Sequence, residues 1–402
     1  MSFSNITQSI RDKIPRKLHN QLNHPIEIIK RHIYAYFCSN QMKDRGYIFE
    51  TFDNFDPIVT IEDNFDKLLI PKNHPARQKT DTYYVDEMHV LRTHTSAHQN
   101  ELLAKGHKTF LVTGDVYRKD EVDARHYPVF HQMEMLTILP DTVSDPVKEL
   151  HSFISGLVTY LFPSCNYRFG EDYFPFTDPS FEVEVEYPQL VSHDNEHTTK
   201  RWLEILGCGV VQPKILENNG IMNKKAIAFG IGLERLVMIF CKIPDIRYLW
   251  STHPKFLNQF SSGKLVTFTP YSELPSVERD ISFFIDKKQL IISEESESKN
   301  ESKSESKNDE SKSEKDKCPR WIDENDFFDI VRQCADDYMQ EVKLVDAFYN
   351  KKKDKYSRTY RCTYSSNSPD DRSPDEFFKA VGHLQDVLRE KVPLLLPNIE
   401  LR

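Results

Sequence analysis

Between residues 25 and 37 the apolar side chains Ile26, Ile29, Ile33 and Phe37 recur at spacings of three and four, which predicts a helix with one buried face. The period then changes to two. Over residues 108–139 the runs TFLVTGDVYR and PVFHQMEMLTIL flank the polar stretch 119–127, the pattern of an antiparallel hairpin with a long loop. FEVEVEY at 181–187 sets Glu182, Glu184 and Glu186 against Val183, Val185 and Tyr187, a strand with one buried and one acidic face. WLEILGCGV at 202–210 predicts a further strand, and residues 226–229 lead through Gly230 and Gly232 into a helix over 233–241. Strands and helices without a regular βαβ alternation indicate an α+β domain on an antiparallel sheet.

A connection rich in Pro and Ser near 261–275 introduces a second set of elements. These are a strand over 277–285, a helix over 324–339 with Phe327, Val331, Cys334 and Tyr338 on one face, a hairpin, a second helix and a short last strand. Ser373-Pro374-Asp375-Glu376 carries a capping box with proline at the first helical position. The order β-α-β-β-α-β is that of the ferredoxin-like fold. The boundaries expected are 1–44 for an N-terminal helical extension, 45–260 for the first domain and 261–402 for the second. Within the second, residues 293–317 hold eight Ser, seven Glu, six Lys, two Asn and two Asp and no apolar residue, the composition of a disordered insert.

Charge narrows the partners. The 402 residues carry 53 Lys+Arg against 62 Asp+Glu, a net −9, which excludes a protein that coats nucleic acid by bulk charge. Seven cysteines with no Cys-x-x-Cys pair fit thiols in a reducing compartment. The most apolar stretch, 226–243, contains Glu234 and Arg235 near its middle and does not suit a membrane span. Residues 1–24 hold Arg11, Lys13, Arg16 and Lys17 against Asp12, a balance that fits an organellar leader and an ordinary surface helix equally, with Pro15 interrupting either.

Candidate chemistry begins on the hairpin. Its second strand places Phe130, Gln132 and Glu134 on one face, with Arg118 closing the first strand where a guanidinium can hold a phosphate in bidentate fashion. A solvated strand face would carry the same stripe. His94 and His98 stand four apart, but the intervening residues supply no Glu and zinc is not expected. Glu182, Glu184 and Glu186 fit either Mg²⁺ with a nucleotide or a solvated acidic face, and Asp178 is another position, so the metal ligands stay unassigned. Residues 318–402 hold 14 basic and 16 acidic side chains, yet Lys351, Lys352, Lys353, Lys355, Arg358 and Arg361 cluster among Tyr349, Tyr356, Tyr360 and Tyr364. That interleaving suits phosphate contact and base stacking, and equally a charged hairpin tip.

The motifs PKNHPARQKTDTYYV (71–85), LRTHTSAHQ (91–99), GDVYRKDEVDARHYPVFHQMEM (114–135), YFPFTDPSFEVEV (173–185), WLEILGCG (202–209), AFGIGLERL (228–236) and the terminal IELR occur in this order. Together they make the chain resemble the class II aminoacyl-tRNA synthetases and, within them, the single-chain, mitochondrial-type phenylalanyl-tRNA synthetases. The resemblance implies a class II catalytic domain followed by a ferredoxin-like anticodon-binding domain. It makes Arg118 and Arg235 the catalytic arginines on ATP, with Phe130 stacked on adenine and Arg125, His126 and Tyr127 covering the nucleotide. It implies an amino-acid site of Ser96, Ala97, His98, Gln99, Gln132, Met133, Glu134 and Glu204, with Phe174, Phe176, Ala228 and Phe229 around a phenyl ring. Ala228 would border the para carbon, so tyrosine would be refused by fit alone, about 10²-fold in an apolar pocket. Lys351, Lys352, Lys353, Arg358 and Arg361 would contact tRNA.

The activity implied is ATP-dependent ligation of phenylalanine to tRNA-Phe through phenylalanyl-adenylate, with Mg²⁺ accompanying ATP, in the mitochondrial matrix, by a monomer. A departure is that the family's Glu two residues after the motif 2 Arg is Asp120 here, the same charge on a shorter stem. An inactive homologue that binds tRNA or regulates is the alternative, and intact Arg118, Glu134 and Arg235 argue against it. A class II enzyme for tyrosine or histidine is a third possibility, disfavoured by Phe174, Phe176 and the Thr-Ser-Ala-His run.

Overall fold

The computed structural model describes residues 3–187, 201–271, 274–291, 319–335, 338–366, 373–396 and 398–402. The insert at 293–317 lies outside the described residues. The chain divides into two compact units, Met1–Arg118 with Pro128–Pro270, and Lys119–Tyr127 with Tyr271–Arg402.

The larger unit is built on a seven-stranded sheet. In spatial order its strands are Glu50–Phe52, Thr109–Tyr117, Val129–Ile138, Ala226–Gly232, Arg201–Val211, Thr177–Tyr187 and Tyr167–Asp172. All neighbours pair antiparallel except the short first strand, which runs parallel to Thr109–Tyr117. The predicted hairpin, the acidic strand and the WLEILGCGV strand are all present, and the strand from Ala226 runs on to Gly232 before the Leu233–Cys241 helix starts.

Helices Pro25–Phe37 and Leu233–Cys241 pack on one face of this sheet. Phe37 stacks on Phe229 with ring centroids 5.5 Å apart, and Glu234 bonds His131. The first of these helices has the predicted bounds because His24 caps it, its Nδ1 accepting from the Ile26 N–H at 3.2 Å, and Ile26, Ile29, Ile33 and Phe37 are fully buried.

The N-terminal residues belong to this unit. Thr7 caps a short helix at Gln8–Lys13, Ile10 and Leu18 are buried, and Arg16 donates to the Trp250 carbonyl at 2.7 Å. No helix among the described residues is long and apolar enough to cross a membrane. The six described cysteines are free thiols, three of them buried.

The smaller unit has the sheet order Met339–Asn350, Lys355–Tyr364, Val277–Ile285, Ile399–Leu401, all antiparallel. Numbered in chain order this is 2-3-1-4, with helices Glu324–Ala335 and Pro374–Leu395 closing the ferredoxin-like pattern. Phe283, Trp321, Phe327, Tyr360 and Val381 form its core, and the Ser373/Glu376 capping box is made with both bonds. The predicted helix over 324–339 is shorter than expected. It ends at Ala335, and Met339 opens the next strand, so Tyr338 reaches the core from the connection.

Residues 119–127 pack with this smaller unit. Val122 is buried in its core and its carbonyl accepts from the Val342 N–H at 2.9 Å; Lys119 pairs with Asp326 at 2.6 Å, and Arg332 donates to the Glu121 carbonyl.

Candidate active site

Pairing register decides which side chains share the site. Gln132 lies opposite Gly232, Glu134 opposite Gly230, and Gly230 in turn opposite Gly207. Directly opposed residues point to the same face, so two glycines extend a flat floor beside the Glu134 carboxylate. The Phe174 ring rests on that floor: a β-carbon at Gly207 would come within 2.8 Å of its Cζ. Phe174 and Phe176 lie nearly parallel, centroids 5.9 Å apart. Phe176 also packs against the apolar cluster that holds Ala228, Leu136 and Val112.

The same register corrects two expectations. Met133 pairs with Ile231 and Met135 with Phe229, which turns Met133 and Phe229 toward the opposite face, where both are buried and Phe229 meets Phe37. A period of two cannot present both Gln132 and Met133, or both Ala228 and Phe229, to one site.

A 3₁₀ turn at Thr95–His98 supplies the polar wall. Ser96 donates to Glu134 Oε2, the Gln99 amide lies beside the same carboxylate, and the Thr95 N–H donates to Gln132 Oε1 at 3.3 Å. Burial pushes the Glu134 carboxyl up to about 7, against the opposing pull of those hydrogen bonds.

His98 does not face this wall. Its ring stacks on Phe55 at 4.2 Å, its Nε2 accepts from Arg92 at 2.9 Å, and burial followed by the Arg92 charge holds it down at about 4. Ala97 is likewise in a core cluster, with Phe176 at its border. The residue that sequence reasoning missed is His94. It is buried, 6.2 Å from the Phe176 ring, and lowered to about 3 by burial and then by the Arg118 charge. The signal was present in the THTSAH run, but a 3₁₀ turn separates the two imidazoles that an α-helix would have aligned.

Buried side-chain atoms without a hydrogen-bond partner concentrate here: both ring nitrogens of His94, Thr95 Oγ1, Gln99 Oε1 and Glu134 Oε1. Each such atom costs roughly 1–3 kcal/mol unless something pairs with it. A carboxylate and uncharged acceptors suit an ammonium group, and imidazoles kept neutral can donate or accept without adding charge.

Arg118, the candidate phosphate contact, is exposed, its Nε donates to the Thr93 carbonyl at 2.8 Å, and its guanidinium carbon lies 5.3 Å from the Phe130 centroid. Arg235 occupies the first turn of the Leu233–Cys241 helix and donates to the Glu204 carbonyl at 2.7 Å, so Glu204 and Arg235 meet at the exposed rim. Arg125, His126 and Tyr127 fall in the segment grouped with the smaller unit; Asp123 bonds the His126 ring at 2.8 Å and raises its pKa.

In the smaller unit, Lys351, Lys352 and Lys353 form the exposed hairpin tip, with Lys353 paired to Glu400 at 2.5 Å. Arg361 pairs with Asp280 at 3.0 Å and Glu278 at 3.4 Å. Arg358 departs from the expectation of an RNA contact. It is 2% exposed, bonded to Glu324, the Tyr360 hydroxyl and the Pro319 carbonyl, because its position on the strand points into the core.

No group of three or more His, Cys, Asp or Glu among the described residues is arranged to hold a metal ion. Burial and then the charges of Glu204, Asp172 and Glu184 raise the Glu182 carboxyl, so this acidic face carries repulsion that a hard cation would relieve.

Comparison with known proteins agrees with this geometry. Residues 12–260 match the family described as tRNA synthetases class II core domain (F). The chain is 41% identical to the chloroplastic/mitochondrial phenylalanine–tRNA ligase of Arabidopsis thaliana, over 99% of this chain and 83% of that protein. It is 37% identical to the mitochondrial phenylalanine–tRNA ligase of Mus musculus (90% and 79%), and 32% identical to that of Saccharomyces cerevisiae (90% and 86%). With a matched core over more than half its length and relatives aligned over 90% or more of it, the chain belongs to the class II aminoacyl-tRNA synthetases, in the phenylalanine–tRNA ligase family.

Proposed function

We propose that this protein activates phenylalanine with ATP, giving phenylalanyl-adenylate and pyrophosphate, and transfers the acyl group to the terminal adenosine of tRNA-Phe, in the mitochondrial matrix and as a monomer. The observation that carries the amino-acid half is the buried Glu134 carboxylate beside Ser96 and Gln99, walled by Phe174 and Phe176. The carboxylate takes the α-ammonium, and the stacked rings take the phenyl group edge-on. Arg118 and Phe130 hold the α-phosphate and adenine, and Arg235 receives the distal phosphates at a helix N-terminus that already favours anions.

The enzyme aligns two anions and neutralises charge at phosphorus, so no covalent nucleophile is needed. Mg²⁺ accompanies ATP and supplies further charge neutralisation when bound; we assign it no protein ligands. In the second step Lys351, Lys352 and Lys353 supply phosphate contacts for tRNA. The inactive-homologue alternative is not favoured, since Arg118, Glu134 and Arg235 are all intact, whereas a degenerate copy should lose phosphate-binding arginines first. Pyrophosphate exchange driven by each of the twenty amino acids in turn tests the proposal. Phenylalanine is expected to drive exchange about 10²-fold better than tyrosine and better than any other amino acid, and exchange with none, or with another amino acid preferred, overturns it.

A further inference from the structure

His131 lies between two residues of the candidate site, Phe130 and Gln132, and points to the opposite face of the sheet. There it meets Glu234, the residue immediately before Arg235. Glu234 Oε2 accepts from the His131 backbone N–H at 2.8 Å and Oε1 bonds the His131 Nδ1 at 2.6 Å. Both side chains are buried, at 0% and 5% exposed. The ladder between the Val129–Ile138 and Ala226–Gly232 strands ends at the Gln132–Gly232 pair. The Glu234 carboxylate therefore takes up the next strand N–H where no strand remains to do so.

The ring is enclosed as well as bonded. Trp250 stacks on it with centroids 5.7 Å apart, and His19 from the N-terminal segment lies 5.2 Å away. Arg16 sits over the Trp250 ring at 5.3 Å. His131 Nε2 has no hydrogen-bond partner. Burying that atom unpaired carries a desolvation cost that a hydrocarbon of the same size would avoid. What the imidazole adds over a hydrocarbon is a second bond to Glu234, and hence a fixed register between strand and helix.

We propose that His131 and Glu234 are positioning residues that fix Arg235 relative to Phe130 and Gln132, so that ATP and phenylalanine are presented in register for attack at the α-phosphate. This rests on the reading of Arg235 as a phosphate-binding residue. Glu234 opens the helix that carries Arg235, and His131 is the strand residue between the adenine and amino-acid contacts. A shift of about 1 Å between the two elements is enough to cost up to about 10²-fold in rate.

The test is pyrophosphate exchange by the full-length protein, with the KM for phenylalanine and for ATP determined separately. His131→Leu should lower kcat/KM for ATP by about tenfold or more while KM for phenylalanine stays within about twofold. His131→Asn, whose amide can donate near the Nδ1 position, should recover most of the loss. Arg235→Ala is the reference. If it leaves ATP kinetics unchanged, the reading of Arg235 itself fails. If it impairs them while His131→Leu behaves as wild type, the positioning role fails. Equal impairment of His131→Leu and His131→Asn would reduce the role to packing and likewise overturn the proposal. Glu234→Gln keeps the volume and one acceptor, and gives the same decision where His131→Leu does not fold: loss confined to ATP supports the role, and wild-type kinetics contradicts it.

Discussion

If the buried Glu134 carboxylate takes the α-ammonium as proposed, phenylalanine binding depends on pH. The Glu134 carboxyl is buried and raised from an ordinary 4.5 to about 7, so near neutrality it is roughly half protonated before substrate arrives. Relative to the unfolded chain the native state then holds the extra proton between those two values, and its stability falls as pH rises through that window. That displacement is worth about 3 kcal/mol, a cost that an ammonium partner offsets. Only the ionised carboxylate pairs with the α-ammonium, so below about pH 7 apparent phenylalanine affinity should fall by about tenfold, or about 1.4 kcal/mol, for each further pH unit. From pH 8 to pH 6 the weakening should be about tenfold, because the carboxyl is almost fully ionised at the first and mostly protonated at the second. Calorimetric titration with phenylalanine in buffers of different ionisation enthalpy measures both the affinity and the proton released. ATP titrations over the same range control for global change. Glu134→Gln should remove the pH dependence and weaken phenylalanine at pH 8 by about 2–4 kcal/mol. A flat affinity profile in the wild type, or the same slope in Glu134→Gln, refutes the assignment.

Other consequences follow from single residues. Gly207→Ala places a methyl group against Phe174, where the gap is 2.8 Å, and should raise KM for phenylalanine by about 1–3 kcal/mol equivalent with ATP kinetics unchanged; unchanged phenylalanine kinetics contradicts the floor. Leu18→Ala, at a fully buried N-terminal position, should destabilise the protein by about 2–5 kcal/mol in denaturant unfolding, whereas a surface helix or detached leader predicts a loss within about 0.5 kcal/mol. Lys351→Ala with Lys352→Ala should weaken tRNA charging and flatten its dependence on log salt by about two, leaving phenylalanine-dependent exchange intact; equal loss in both assays contradicts a tRNA role for the tip.

Much of the fold was legible because the elements that build it have strong periods. The Ile26 to Phe37 stripe, the alternation through Phe130, Gln132 and Glu134, and the Ser373 capping box each reappear where the pattern put them. The helix predicted after Glu324 overruns the observed α-helix, which ends at Ala335, because Tyr338 keeps the spacing of Phe327 and Val331 from beyond that end. In the site, residues adjacent in a motif were grouped together, although alternation separates Met133 from Gln132 and Phe229 from Ala228. THTSAH shows both imidazoles, but not the 3₁₀ turn that separates them, nor the Arg92 and Phe55 contacts that hold His98 aside. Arg358 shares the composition of its basic neighbours, and only its facing on the strand reveals the buried pair with Glu324. The N-terminal segment had the charge balance of a leader, while its role depends on where Ile10, Leu18 and Arg16 land on distant residues.

The fold and its site bear on one reaction, the joining of phenylalanine to tRNA-Phe. Incubating the full-length protein with radiolabelled phenylalanine, MgATP and tRNA-Phe, then measuring acid-precipitable label, tests it directly. Label is expected on tRNA-Phe, to be lost in Arg118→Ala and in Glu134→Gln, and absent from a tRNA of another specificity. Protein that binds phenylalanine and ATP yet places no label on tRNA-Phe would contradict it.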